Sequence, residues 1–418
     1  MEENITDVRV QKMLNIIDDY LTSLNSIKET FDSNHKVLQK SDITIKRSLR
    51  TFIVKHKVNI DDIDNIPPAQ TKELKTFVKR IERAELAAVI FPQSMLVSMV
   101  SQYDYLIGQL VQFICNVNPN SLHESGSQIS YKELFTYADI DAIREKIIQD
   151  KVENVLRKSH EEQIIELQNL SGVKNLKGVS FWDKFIELTQ RRNLLVHCKG
   201  LVSEQYIKKC KEVGISSLPC KGEYLTVNEE YFDKAYVVLY TMGVLLSQVI
   251  IRHTLKKENV IGEIDTILNN IIYEAIEEER YDIAIMLSEF ALADTTEHSC
   301  RLDEVYFVLN YAQAYKWQGN QSKCNEILSE FDFSTMKPDI LVAKCALENN
   351  VEEMVEYMKQ TGCSSKIMTK DAYVSWAIFK EMRTKKAFKD AYQNLFNEEL
   401  SQDLLTPTEN MVVQKIES

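Results

Sequence analysis

Apolar residues recur three and four positions apart along most of the chain, and that period predicts helices. Near the start, Val10, Met13, Leu14 and Ile17 share one face, and Leu21 and Leu24 continue it, so residues 1–80 predict two or three amphipathic helices. The stretch NIDDIDNIPP (59–68) breaks the pattern with two prolines and predicts a connector before a helix from Thr71. From about Ala84 the pattern turns apolar. Residues 86–115 predict one or two buried helices, with Pro92 marking a start or a kink and Asp104 as the only charge. Residues 116–130 read as a loop, 131–170 as helices, and 172–179 as a short loop. A further loop over 215–226, with Pro219 and Gly222, has the makings of a small hairpin. The charge-free run 235–251 is 17 residues long and contains Thr241, Ser247 and Gln248. A membrane span needs about 20 predominantly apolar residues, so this run predicts a core helix within 228–255.

One helix interrupts this regularity. The stretch 181–206, FWDKFIELTQRRNLLVHCKGLVSEQY, predicts a helix that starts near Ser180 as N-cap and ends or bends at Gly200. Phe181, Phe185, Leu188 and Leu195 form one stripe, and Arg192 falls on the same line. Asn193 and His197, four apart, share a face that Ile186 continues toward Trp182. Polar groups set into an apolar stripe are costly unless they are paired or line a cleft.

Beyond residue 258 the texture changes to short helix pairs, with turns around Arg280, Asn320, Asn350 and Thr384. The segments 309–331, 340–362 and 372–396 overlay turn on turn at 30 and 34 residues. This resembles a degenerate tetratricopeptide array, best matched in the first unit by Ala312, Tyr315 and Gly319. An irregular helical bundle is the alternative.

Composition sharpens the reading. With only 11 Gly and 7 Pro in 418 residues, and long runs of Leu, Ile, Lys and Glu, the chain predicts an all-α protein of two or three domains. A net charge of −12 argues against unspecific coating of nucleic acid. Between 191 and 211, however, Arg191, Arg192, Lys199, Lys208, Lys209 and Lys211 face one acid, Glu204. That stretch is either a phosphate-facing patch or a solvated helix end. Eight scattered cysteines without a C-x-x-C pair, and an N-terminus with no apolar signal core, predict a reducing cytoplasm. No H-E-x-x-H, Cys/His ligand set or Gly-rich phosphate loop occurs, so neither a metal nor a cofactor is expected.

An arginine four to six residues before a histidine is a weak signal alone, since 13 Arg and 7 His give roughly 0.7 chance matches. Arg50 and His56 form such a decoy pair, in which Thr51 and a run of apolar residues follow the arginine, with no asparagine. The context of Arg192 is richer: E-L-T-Q-R-R-N-L-L-V-H-C-K-G resembles the R-N-x-x-x-H signature of HEPN domains, most closely those of bacterial antiphage and toxin systems. The similarity runs over roughly 84–255, leaving 1–80 as an N-terminal helical extension, 81–256 as the HEPN helical bundle and 257–418 as tetratricopeptide-like repeats.

The resemblance implies a metal-independent endoribonuclease acting as a homodimer on RNA, tRNA among the candidates, with a protein or phage-derived trigger on the repeats. It maps Arg192, Asn193 and His197 onto the motif, adds Glu187 as a further acidic site residue, and leaves Asp104 as a weaker one. The residue types suit the chemistry. Imidazole moves protons near neutral pH, and guanidinium presents forked donors to a phosphoryl group. A non-catalytic module, in which the HEPN fold dimerises and the repeats recruit a partner, is the rival expectation.

Overall fold

A computed structural model of the chain describes residues 6–58, 66–125, 136–256 and 259–400. The N-terminal apolar stripe folds as one helix, α1 (Val8–His56), rather than two or three. Neither Gly nor Pro interrupts it. Val10, Met13, Ile17, Leu21 and Leu24 are buried as the periodicity predicts, joined by Ile16 and Tyr20, while Leu14 is half-buried. The connector expected over 59–68 lies largely outside the described residues. A second long helix, α2 (Pro68–Val117), begins three residues before Thr71 and carries Pro92 within it, so the proline neither starts nor ends the helix. A 3-10 turn over Pro119–Ser125 follows. The rest of the expected loop to 130, and the helix start at 131, are outside the described residues.

The shorter elements come next: α3 (Ile140–Leu156), α4 (His160–Ser171), α5 (Trp182–Cys198), α6 (Glu204–Glu212) and α7 (Glu229–Thr254). Glu166 ties α3 to α4 by accepting from Lys151 at 2.9 Å and from Lys158. Asn228 caps α7 by accepting from the Tyr231 amide at 2.8 Å. Both α2 and α7 contain an 18-residue window long and apolar enough to cross a membrane. The window of α7 is 83% buried, that of α2 22% buried, so α7 is a core helix while part of α2 shows apolar side chains at its surface.

α7 organises this half of the chain. The Tyr20 hydroxyl of α1 donates to the Leu239 carbonyl at 2.8 Å, and the Tyr236 hydroxyl donates to Asn25 Oδ1 at 2.7 Å. Phe31 stacks on Phe232 with ring centroids 3.8 Å apart. One turn beyond Leu239 sits Gly243, where a Cβ would lie 2.2 Å from Tyr20 Cε1 and 2.9 Å from Leu106 Cδ2. Only a residue without a side chain lets α7 approach α1 and α2 so closely. The described residues divide into two compact units, one within 6–256 and the other within 259–400. The expected boundary at residue 80 falls inside α2, and α1 belongs to the first unit because it supplies one wall of its core.

The second unit holds α8 (Ile261–Glu277), α9 (Tyr281–Ala291), α10 (Arg301–Trp317), α11 (Gln321–Glu330), α12 (Pro338–Glu348), α13 (Val351–Thr361), α14 (Lys370–Ser375) and α15 (Lys386–Phe396). Three of its turns share one backbone device. The amides of Arg280, Asn320 and Asn350 donate to the carbonyls five residues back, Ala275, Tyr315 and Cys345, at 2.7, 2.8 and 2.9 Å. The residue before each, Glu279, Gly319 or Asn349, has positive φ. These are C-terminal caps that end one helix and aim the next back along it. Around Thr384 the device is absent: a 3-10 turn over Met382–Thr384 leads into α15.

The first helices of the pairs, α8, α10 and α12, pack in a row. Lys316 of α10 is buried and links that row, its ammonium donating to the Ala346 carbonyl at 2.9 Å, the Leu347 carbonyl at 3.2 Å and Asn349 Oδ1 at 2.8 Å. Among the described residues the only β pairing is one antiparallel bridge, Leu201 to Tyr224, so the fold is all-α.

Two outcomes test this architecture. Gly243→Ala should lower stability by about 1–3 kcal/mol through overpacking, read as a fall in melting temperature; an unchanged melting curve would show that the helices have room to spare. Native protein treated with iodoacetamide should be labelled at the exposed Cys198, Cys220, Cys300 and Cys363, and not at Cys115, Cys210, Cys324 or Cys345. Burial pushes the Cys210 thiol up to about 11, with the Glu187 carboxylate adding to the effect. Mass-spectrometric detection of Cys210 labelling before unfolding would contradict this packing.

Candidate active site

The unusual helix is α5. Phe181, not Ser180, occupies its N-cap position, and no side chain caps it. Its other end is set by Lys199 and Gly200, with φ of 49° and 83°, and by the Gly200 amide, which donates to the Leu194 carbonyl at 2.9 Å. A Cβ on Gly200 would lie 3.0 Å from the Leu225 carbonyl oxygen. This close turn lets 200–202 pair with 222–225, Val202 N donating to Glu223 O and Leu225 N to Gly200 O, both at 2.9 Å. The loop expected over 215–226 therefore closes against the end of α5. Phe185, Ile186, Leu188 and Leu194 face the core, whereas Leu195 is only half-buried, so the buried stripe ends one position earlier than its spacing suggests.

Arg192 points toward α2 and α4. Its Nη2 lies 3.6 Å from Asp104 Oδ2, and its Nη1 donates to Asn193 Oδ1 at 3.2 Å. Its Nε is buried without a hydrogen-bond partner among the described residues. The other oxygen of Asp104 lies 3.1 Å from His160 Nε2, but the approach is off-axis and leaves that nitrogen without a hydrogen bond. His160 is the first residue of α4, whose start is held by a capping box between Ser159 and Glu162. Its imidazole sits beside Tyr103 and Phe185, at centroid distances of 6.1 and 6.4 Å. One carboxylate thus serves a guanidinium and an imidazole at the edge of an aromatic core.

Sequence spacing does not reveal His160. It lies on another helix, and the available signal, S-x-x-E at 159–162, places it at a helix start without pairing it to Asp104.

Glu187 belongs to a different cluster. Its carboxylate accepts from Arg191 Nε at 2.8 Å and from the Tyr206 and Tyr231 hydroxyls at 2.6 Å each. Arg191 lies 3.8 Å over the Tyr231 ring and donates to the Thr226 carbonyl at 2.8 Å. Burial works against the Arg191 charge, but Tyr231 and Glu187 more than offset it, so its pKa stands above the usual arginine value. Burial, then the Glu187 carboxylate, pushes both tyrosine hydroxyls up, so they remain donors at neutral pH. With its lone pairs engaged by three donors, Glu187 joins α5 to α6 and α7, and it does not share a cluster with Arg192.

His197 is exposed in the last turn of α5, while Asn193 is half-buried one turn earlier. Five residues separate Arg192 from His197, about 7.5 Å along the helix axis. Half of the basic stretch of 191–211 is engaged by acids: Arg191 by Glu187, Arg192 by Asp104, and Lys209 by Glu161 at 3.3 Å and Glu212 at 3.0 Å. Arg50 is exposed on α1, and the His56 ring lies tilted against Phe52 at a centroid distance of 4.7 Å, so the decoy pair is not part of this cluster. Among the described residues no group of three or more His, Cys, Asp or Glu is gathered as a metal-binding set. Comparison with family models, with curated proteins and with solved structures finds no match to this chain.

Glu187→Ala would leave the half-buried Arg191 without its carboxylate. It should lower stability by about 2–4 kcal/mol, below the top of the range for a fully buried ion pair. A loss below about 1 kcal/mol in thermal unfolding would show that the three donors do not depend on Glu187.

Proposed function

We propose that the first unit is a metal-independent endoribonuclease of the HEPN type, the effector of a bacterial antiphage defence. The supporting observation is the arrangement on α5: the R-N-x-x-x-H residues put a guanidinium, with Nε unsatisfied, at the edge of a polar cluster and an exposed imidazole at the helix end. In the reaction, His197 takes the proton from an RNA 2′-hydroxyl, whose oxygen attacks the adjacent phosphorus. The bond from phosphorus to the 5′-oxygen breaks, leaving a 2′,3′-cyclic phosphate and a 5′-hydroxyl. Arg192 stabilises charge on the phosphoryl oxygens, Asp104 and Asn193 hold its side chain, and His160 flanks Asp104. Asp104 is thus a positioning residue here, and Glu187 serves the scaffold.

Transphosphorylation benefits from a base and an acid, whereas each protomer offers one exposed histidine on α5. A twofold homodimer bringing two α5 helices together would supply both. In this reading the helix pairs of 259–400 are tetratricopeptide-like and take a protein or phage-derived trigger, and the protein works in the cytoplasm. The Arg192–Asp104 ion pair favours one rival, a non-catalytic binding and dimerisation module in which Arg192 is structural.

Purified protein incubated with total RNA separates the two. His197→Ala and Arg192→Ala should each reduce cleavage by a factor of about 100 or more, with helical content unchanged. Cleavage should persist in EDTA and spare RNA carrying a 2′-deoxy sugar at the cut. Wild-type activity in His197→Ala, or activity lost in EDTA and restored by Mg²⁺, would overturn the reading.

A further inference from the structure

The charge of this chain is unevenly distributed. Its net charge is −12, yet residues 36–57 and 68–90 hold twelve Lys and Arg against four Asp and Glu. The connector between them adds Asp61, Asp62 and Asp64, which lie outside the described residues. These two segments are the far halves of α1 and α2. Phe31, stacked on Phe91 and Phe232, marks where the core ends. Beyond it, Phe52 is the only buried residue of 36–56 among the described side chains, and no residue of 68–91 is buried. Phe52 packs on Phe77 at a centroid distance of 5.6 Å, so the two helix halves meet along a seam of their own. They form a two-helix arm.

Each helix of the arm carries a basic stripe opposite that seam. On α1 the stripe is Lys36, Lys40, Arg47 and Arg50, on α2 Lys72, Lys75, Lys79 and Arg83; spacings of three, four and seven keep each set on one face. All eight are exposed, and among the described residues none is in an ion pair, whereas Lys46 on the flank reaches Glu85 at 2.8 Å. A helix face solvated for its own stability alternates charge sign, because like charges one turn apart destabilise it. Four cations on one face, with Ile43 the exposed apolar residue among those of α1, instead suit a ligand with repeated negative charge. The α1 stripe spans about 21 Å, a length over which one nucleic-acid strand presents about six phosphates.

We propose that this arm binds RNA by its phosphate backbone; that the partner is RNA rests on the ribonuclease reading above. A lipid surface is the competing partner, because the arm also exposes aliphatic side chains, among them Ile43, Val54, Leu86 and Ile90. Interfacial helices put a continuous face of Trp, Phe and Leu into the lipid, whereas here Phe52 and Phe77 pack on the seam, no Trp is present in the arm, and the exposed aliphatic side chains are interleaved with the eight cations.

The test uses the full chain in the His197→Ala background, which separates binding from cleavage, with a fluorescein-labelled structured RNA read by anisotropy. Glu at Lys36, Lys40, Arg47 and Arg50 together, or at Lys72, Lys75, Lys79 and Arg83 together, should weaken binding at least about tenfold at 0.1 M salt and flatten the slope of log affinity against log salt by about 3. A control set on the second unit, Lys337, Lys359, Lys366 and Lys386 to Glu, should bind like the parent. Gln at the arm positions should give a smaller loss in the same direction, and this set decides the matter if the Glu variants misfold. RNA affinity unchanged in both arm sets overturns the proposal, even if the wild-type chain cleaves RNA. Conversely, arm-dependent binding in a chain that never cleaves supports the arm and removes the ribonuclease. Loss confined to binding of phosphatidylserine vesicles, with RNA affinity intact, also overturns it.

Discussion

The close approach at Gly243 is the constraint from which the first unit follows. A helix of 26 residues that is buried nearly all round needs walls on several sides, and α1, α2 and α5 provide them. Because Gly243 has no side chain, the Tyr20 ring can lie against the α7 backbone while its hydroxyl reaches the Leu239 carbonyl. That carbonyl belongs to α7 itself, so the contact locks one helix onto another through a main-chain atom that no substitution in α7 removes. The consequence is that the N-terminal helix is a structural member of the unit, and its far half is carried outward with α2 as an arm.

α5 is positioned by a second, polar constraint. Glu187 gathers Arg191, Tyr206 and Tyr231, and with them the start of α6 and the first turn of α7. This fixes the rotation of α5 about its axis, and the rotation decides what Arg192 meets. Turned as it is, Arg192 faces Asp104 and His160, leaving His197 free at the helix end. Adjacent arginines therefore have opposite duties. Arg191 is spent on the scaffold, and Arg192 stands at the candidate site.

In the second unit the repeated element is a backbone turn rather than a side-chain pattern. Glu279, Gly319 and Asn349 all adopt positive φ, and the same amide-to-carbonyl bond follows each. Glycine takes that conformation without strain, asparagine tolerates it, and glutamate is strained by it. Lys316 then replaces water at the end of α12, where carbonyls lack helical partners.

By itself the sequence determined the fold class, most of the helices and the faces they bury, because those depend on residue type and a local period of 3.6. Val10, Met13, Ile17, Leu21 and Leu24 needed no tertiary information, nor did α7 or the turns at Arg280, Asn320 and Asn350. Helix continuity was less legible: the period is the same on both sides of Pro92, and only packing decides whether a proline is carried or ends the helix. The Arg192, Asn193 and His197 motif was legible as an anomaly in a core stripe. Its surroundings were not. That Asp104 meets His160, that Glu187 serves two tyrosines from α6 and α7, and that 1–80 is no separate domain are all contacts between residues far apart in sequence. Such contacts depend on the relative rotation and approach of whole helices, which the three-dimensional packing of the core sets and no spacing along the chain encodes.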